Sequence, residues 1–252
     1  MSAIEPIIST NFKGKITMLD QALEALKTYQ WGVDPKAVKS IQDAVVATHG
    51  DAGARKKLES TLVAVLSTDV PRAAKDTVCR ALKTIGTAHS VPALAKLLHD
   101  EKLSHMARHA LQTIDAPEAA KALVAALDKA PKKIKIGIIS SLGARGEGVP
   151  VAPLAKALSD KDADISTAGA LALGAIGSAD AVKTLKSAKV TDTNWAKPSV
   201  KIAVCDAMLQ CAENMLAHGK KADAKAIYGM VLKIGTTKAA KIAADLGVKA
   251  SA

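Results

Sequence analysis

The sequence predicts an all-α protein, an α-solenoid of stacked antiparallel helix hairpins, and three observations carry that prediction. Of 252 residues, 50 are alanine, a strong helix former that is depleted in strands. Two apolar columns march in step: Leu82, Leu111, Leu142 and Leu173 are spaced 29, 31 and 31 residues apart, and Leu94, Leu123, Leu154 and Leu185 repeat those intervals. The whole aromatic inventory is Phe12, Tyr29, Trp31, Trp195 and Tyr228. A compact enzyme normally fills its core and pocket with rings that bury on the order of 150–250 Å² each. An interior of Ala, Leu, Ile and Val suits thin layers of closely packed helices instead, in which each hairpin buries its apolar side against its neighbours.

Taken in order, residues 1–33 form an N-terminal cap. Within it, Lys15 to Tyr29 places Ile16, Leu19, Ala22, Leu23 and Leu26 on one helical face. Residues 34–190 hold the repeats. Pro35 to Thr48 and Ala52 to Leu66 make an early hairpin, with Leu62 lying 32 residues before Leu94. The clearer units follow, their first helices running through Ala81 to Gly86, Ala110 to Asp115, Ser141 to Ala144 and Ala172 to Gly177. In the second helices apolar residues fall on one stripe, as in Leu94, Leu97 and Leu98, or Leu123, Ala126 and Leu127, or Leu154, Ala157 and Leu158. The turn signals predict left-handed helix ends at Gly86 and Gly177. Asp115-Ala116-Pro117-Glu118 predicts a capping box, and Ser178-Ala179-Asp180 an N-cap. Gly143 to Gly148 is glycine-rich and predicts a longer bend within its hairpin rather than a phosphate cradle. Residues 191–252 complete the array with a longer hairpin, Val200 to Ala217 and Lys220 to Ile234 around Gly219, and a terminal helix from Thr236 to Leu246. About six hairpins result, with atypical ends to cover the last apolar faces.

These residues carry a resemblance. Ala81 to Leu98, Ala110 to Leu127 and Ala172 to Ala188 resemble the HEAT repeat in its short, bilin-lyase-type form. Ala73 to Leu82, Leu103 to Leu111, Lys135 to Gly146 and Ala212 to Tyr228 further resemble HEAT modules found within large bacterial multidomain proteins. The resemblance spans roughly residues 55 to 235. It implies a HEAT-like superhelix with an interaction or spacer role, and it brings no catalytic motif with it.

Net charge is +11, with pI near 9.5. In successive blocks of fifty residues, with the last two added to the final block, it runs 0, +3, +3, +1 and +4, so any basic surface must be assembled by the fold. The sharpest candidate is a row of second-helix lysines. Lys96 and Lys156 stand two residues after their leucine anchors and Lys121 and Lys183 two before, which puts all four on one helical face opposite the apolar stripe. Stacking is expected to align them at roughly 10 Å intervals along a concave groove facing an anionic partner. The plainer reading is a solvated helix face. Lys129, Lys132, Lys133 and Lys135 cluster at one junction, and Lys220 and Lys221 at a later turn; solubilising roles are the simpler account of both.

Trp195, beside Lys197, is the candidate aromatic contact, either stacking on a base or plugging a gap between repeats. The aromatic-plus-acid pocket of HEAT-like DNA glycosylases finds no counterpart. His105 and His109, one helical turn apart, could hold a metal, but the repeated His-Glu dipeptides of metal-binding HEAT hydroxylases are absent. Cys79, Cys205 and Cys211 form no CxxC pair and read as buried small apolar residues. Neither GxSxG, a P-loop, HExxH nor a Rossmann glycine run occurs.

No stretch approaches the roughly 20 apolar residues of a membrane-spanning helix, and no secretory signal opens the chain. The expectation is a cytoplasmic, non-enzymatic scaffold without cofactor or metal that binds another protein, acidic if the lysines are used. A nucleic-acid-binding solenoid is the first alternative, and a bilin-lyase-like or other HEAT-repeat enzyme the second.

Overall fold

A computed structural model describes residues 13–33, 35–146, 148–188, 197–234 and 236–252. Among them are fourteen α-helices, two short 3-10 turns and no strand. Helix α1 (Lys13–Leu26) precedes six hairpins: α2 (Pro35–Ala47) with α3 (Ala52–Leu66), α4 (Arg72–Ile85) with α5 (Val91–Lys96), α6 (Ser104–Thr113) with α7 (Pro117–Leu127), α8 (Lys132–Arg145) with α9 (Val151–Leu158), α10 (Ala163–Ile176) with α11 (Ala179–Ser187), and α12 (Pro198–Ala217) with α13 (Lys221–Ile234). Helix α14 (Lys238–Ala250) closes the array.

Both leucine columns form the floor of one continuous core. Leu82, Leu111, Leu142 and Leu173 are wholly inaccessible, and Leu94, Leu123, Leu154 and Leu185 are buried with them. The ends are covered as the amphipathic patterns predict. In α1, which packs on α2, Ala22 and Leu26 are buried; the side chain of Ile16 lies outside the described residues. At the other end Ala240 and Ala244 of α14 are buried, and Gly247 gives passage to the Tyr228 ring. A Cβ on Gly247 would stand 2.3 Å from Tyr228 Cζ. The Tyr228 hydroxyl donates to Glu213 Oε1 at 2.7 Å.

Two layers result, and they are packed unequally. The first helices α2, α4, α6, α8, α10 and α12 contact one another in unbroken succession, most closely from α8 to α12. The second helices touch more lightly, and α7 and α9 scarcely meet. Small residues explain the close side. A Cβ on Gly143 of α8 would come within 2.7 Å of the Ala172 Cα of α10, and one on Gly174 of α10 within 2.6 Å of the Ala207 Cα of α12. The alanine column therefore continues to Ala207, and Met208 takes the leucine position in the last hairpin.

The turns correct two expectations. Gly177 does adopt the left-handed conformation (φ 59°), but Gly86 is extended, with φ −64° and ψ 145°. Gly86 is required for room instead, since a Cβ there would lie 2.4 Å from the Leu82 carbonyl oxygen. The capping box also fails to form. Ala116 is the N-cap of α7 and Pro117 follows it, with no side-chain cap bond. The preceding carbonyls are satisfied from the next repeat. Arg145 of α8 donates through one nitrogen to the carbonyls of Leu111 and Ile114 and through the other to that of Ala116. A fixed cation at the C-terminal end of α6 also complements the helix dipole there. Ser178 caps α11 as expected, its Oγ accepting from Ala181 N at 3.2 Å. Gly146 and Gly148, both at positive φ, form the longer bend between α8 and α9.

Candidate functional site

The lysine row is carried by α5, α7, α9 and α11. Its placement follows from the local pattern: each helix turns its leucine anchor inward, so residues two positions away face solvent. Lys96, Lys121, Lys156 and Lys183 are all exposed. Lys156 is held by Asp128 at 3.1 Å, an exposed pair linking α9 to the end of α7. Lys96, Lys121 and Lys183 form no ion pair among the described residues.

The junction cluster separates in the structure. Lys132 bridges Asp162 and Asp164 at 2.7 Å each, which staples α8 to the start of α10. Those carboxylates push the Lys132 ammonium up to about 12, and the hydrogen bond from Lys132 in turn holds Asp162 below its usual range. Asp162 is at the same time the N-cap of α10, accepting from Asp164 N and Ile165 N. Lys129 and Lys133 are exposed and Lys135 half-buried, and Lys220 and Lys221 are exposed at their turn.

Trp195 lies outside the described residues. Trp31 is 52% exposed, with Arg72 stacked 5.1 Å from its ring centroid and its indole N–H directed at Asp76 at 3.4 Å. The three cysteines are free and buried, as the sequence suggests. Burial pushes Cys79 up to about 12 and Cys211 to about 11.

The histidine pair is real but surrounded by cations. His105 and His109 stack with centroids 6.4 Å apart. Lys83 Nζ lies 2.8 Å from His109 Nε2, and Arg108 donates to His105 Nδ1 at 3.3 Å. No group of three or more potential metal ligands occurs among the described residues. Sequence reading passed over Lys83 and Arg108. No repeat column flags them, because Lys83 follows its leucine by one residue whereas Arg108 precedes its leucine by three.

A two-layer row of antiparallel helix hairpins sharing one continuous apolar core is the architecture of a helical-repeat solenoid. The chain belongs to the HEAT-repeat family, whose description matches residues 58–143 and 120–208. No curated protein matches it in sequence. Among solved structures it is similar to lipovitellin, in a structure concerned with lipid–protein interactions, at 15% identity and a TM-score of 0.60. That match covers 100% of this chain, which spans only 28% of the lipovitellin chain. Human deoxyhypusine hydroxylase in complex with glycerol is 16% identical over 85% of this chain and 95% of its own, with a TM-score of 0.38. An engineered protein is 17% identical over 92% of this chain and 96% of its own, with a TM-score of 0.29. Among the described residues no helix is long and apolar enough to cross a membrane.

Proposed function

We propose that this HEAT-repeat chain is a non-enzymatic scaffold that binds another protein through the outer side of its second-helix layer. The observation that carries the reading is the trio Lys96, Lys121 and Lys183, exposed at equivalent positions of the second helices α5, α7 and α11 and without an ion pair among the described residues. Exposed lysine ammonium groups without an ion pair are open to a partner, and an acidic protein surface is their natural complement. Rim charges of this kind set the rate and salt dependence of association more than its final strength. A cytoplasmic setting fits the three free thiols.

The test is affinity capture with the wild-type chain and with the triple variant Lys96→Glu, Lys121→Glu, Lys183→Glu, its helicity checked by circular dichroism. The expected outcome is a protein retained by the wild type, crosslinked at those lysines, and lost from the folded triple variant. Retention unchanged in the variant overturns the use of the lysine face. Capture that disappears after nuclease treatment overturns the protein reading in favour of nucleic acid, whose binding would fall steeply with salt.

A further inference from the structure

We infer that Lys83, His105 and His109, backed by Arg80 and Arg108, form a receptor for a tetrahedral oxyanion carrying two negative charges, a phosphate or phosphate monoester, taken up together with protons. The site lies where α4 packs on α6, in the first-helix layer, apart from the lysines of the second.

The hydrogen bonds define its resting state. An ammonium group can only donate, so at 2.8 Å from Lys83 Nζ the Nε2 of His109 must accept, leaving that imidazole neutral with its proton on Nδ1. Arg108 likewise donates to Nδ1 of His105 at 3.3 Å, which leaves His105 neutral with its proton on Nε2. The two rings lie parallel to within 6°. Each imidazole is thus hydrogen-bonded by a permanent cation. Burial first, and then Lys83, His105, Arg80 and Arg108, hold His109 below the ordinary imidazole range.

Of these cations only Arg80 has an acidic partner; Lys83 and Arg108 form no ion pair among the described residues. Asp76 of α4 is occupied by Arg80 at 3.1 Å and by the Trp31 indole at 3.4 Å. Helix α8 presents only the Gly137 carbonyl and the Ser141 hydroxyl, both accepting from Arg108. The charges that lower the His109 ring come from α4 and from α6 itself. Concentration of positive charge is also local. The column two residues before each leucine reads Arg80, His109, Ser140, Leu171 and Asp206, and the column six before reads Asp76, His105, Ile136, Thr167 and Ile202. At the α4–α6 junction the first column pairs Arg80 with His109, and the second sets His105 beside Asp76.

Protonating His109 turns its Nε2 from acceptor to donor directly opposite the Lys83 ammonium. An oxyanion that displaces the direct Lys83–His109 contact, the two nitrogens moving apart to admit it, accepts from both and converts the repulsion into two charge-assisted hydrogen bonds. A monocarboxylate offsets one of these charges, whereas a dianion offsets both, which selects the phosphate class. Anion binding and protonation therefore favour one another by linkage.

The test is an NMR titration of the His105 and His109 C2–H signals from about pH 5 to about 8, in sodium sulfate against sodium chloride at equal ionic strength. Sulfate is the probe because it stays a dianion across that range. Both midpoints are expected to move up by about half a unit to one unit with saturable sulfate dependence. Sulfate affinity is expected to rise by up to about tenfold, for each proton taken up, with every unit by which the pH falls. Lys83→Gln should abolish the His109 response and Lys83→Arg should retain it, which separates loss of the site from loss of fold. Equal titration in sulfate and chloride, or an unchanged response in Lys83→Gln, overturns the proposal. Inorganic phosphate and O-phosphoserine, compared at about pH 7.5 where both are dianionic, then distinguish a free anion from an ester by which saturates the site at lower concentration.

Discussion

Gly137 of α8 lies directly against the guanidinium of Arg108 from α6. A Cβ built on Gly137 stands 2.4 Å from Arg108 Cζ, while Arg108 donates to the Gly137 carbonyl at 2.7 Å and to Ser141 Oγ at 3.2 Å. The glycine is an opening through which one repeat reaches the backbone of the next. Alanine in an open helix interior would gain about 0.8–1 kcal/mol over glycine. Here it displaces an arginine whose charged hydrogen bonds are worth about 1.5–3 kcal/mol each. Gly137→Ala is therefore expected to lose about 1–2 kcal/mol by urea denaturation. In an Arg108→Ala background the same change should reverse sign and stabilise by about 0.5–1 kcal/mol. Additive effects of the two substitutions would contradict this reading.

Less yielding are Gly143 and Gly174, whose neighbours are helix backbone rather than the end of a flexible side chain. A Cβ at either meets the Cα of Ala172 or Ala207 below 3 Å, so the two helices themselves must separate. Gly143→Ala and Gly174→Ala are each expected to cost about 2–3 kcal/mol. Gly229, in the middle of α13 with nothing within 4 Å of its notional Cβ, serves as the contrast. Gly229→Ala should stabilise by about 0.5–1 kcal/mol. Urea midpoints for the three variants, ranked in any other order, would contradict the packing argument.

The staple between Lys132 and Asp162 predicts a pH dependence. Asp162 is held below its ordinary value of 3.8, chiefly by Lys132. A carboxylate depressed in the folded chain contributes stability that is present above its unfolded value and is lost as pH falls through the folded one. Thermal midpoints of the wild type should accordingly drop more steeply below about pH 4 than those of Lys132→Met. At the alkaline end, the raised Lys132 contributes below 10.5 and loses that contribution as pH climbs toward about 12. Parallel acid limbs in wild type and variant would show that the pair has no such role.

Thiol labelling offers an independent measure of packing. Cys79, Cys205 and Cys211 are at most 1% exposed, and burial raises the pKa of each. Since the thiolate is the reactive form, the native protein should react negligibly with an aromatic disulfide reagent at neutral pH. Unfolding in guanidinium should release three equivalents. Rapid native labelling of even one thiol would place it outside the core.

Much of the fold was legible because the repeat is a local property. Leucine spacing, alanine columns and turn residues all act within one hairpin, and the structure places both leucine columns in the core. The register of the last hairpin escaped because its interval lengthens to 35 residues, from Leu173 to Met208, and methionine replaces leucine. Capping by Asp115 was misread for a different reason: the ends of α6 are satisfied by Arg145, 31 residues beyond Ile114. No local pattern contains that bond.

The candidate surfaces divide along the same line. That Lys96, Lys121, Lys156 and Lys183 face solvent followed from their positions relative to the leucines. That Lys156 is paired with Asp128 did not, and neither did the approach of Lys83 to His109 across 26 residues. Periodicity alone determined the hairpins, their number and the identity of their buried faces, because apolar spacing dictates which side of a helix must leave water. Tertiary structure decided which charges are neutralised and which stand unpaired, because that depends on the offset between stacked helices. Glycines such as Gly137, Gly143 and Gly174 set that offset by how closely they let backbones and side chains approach.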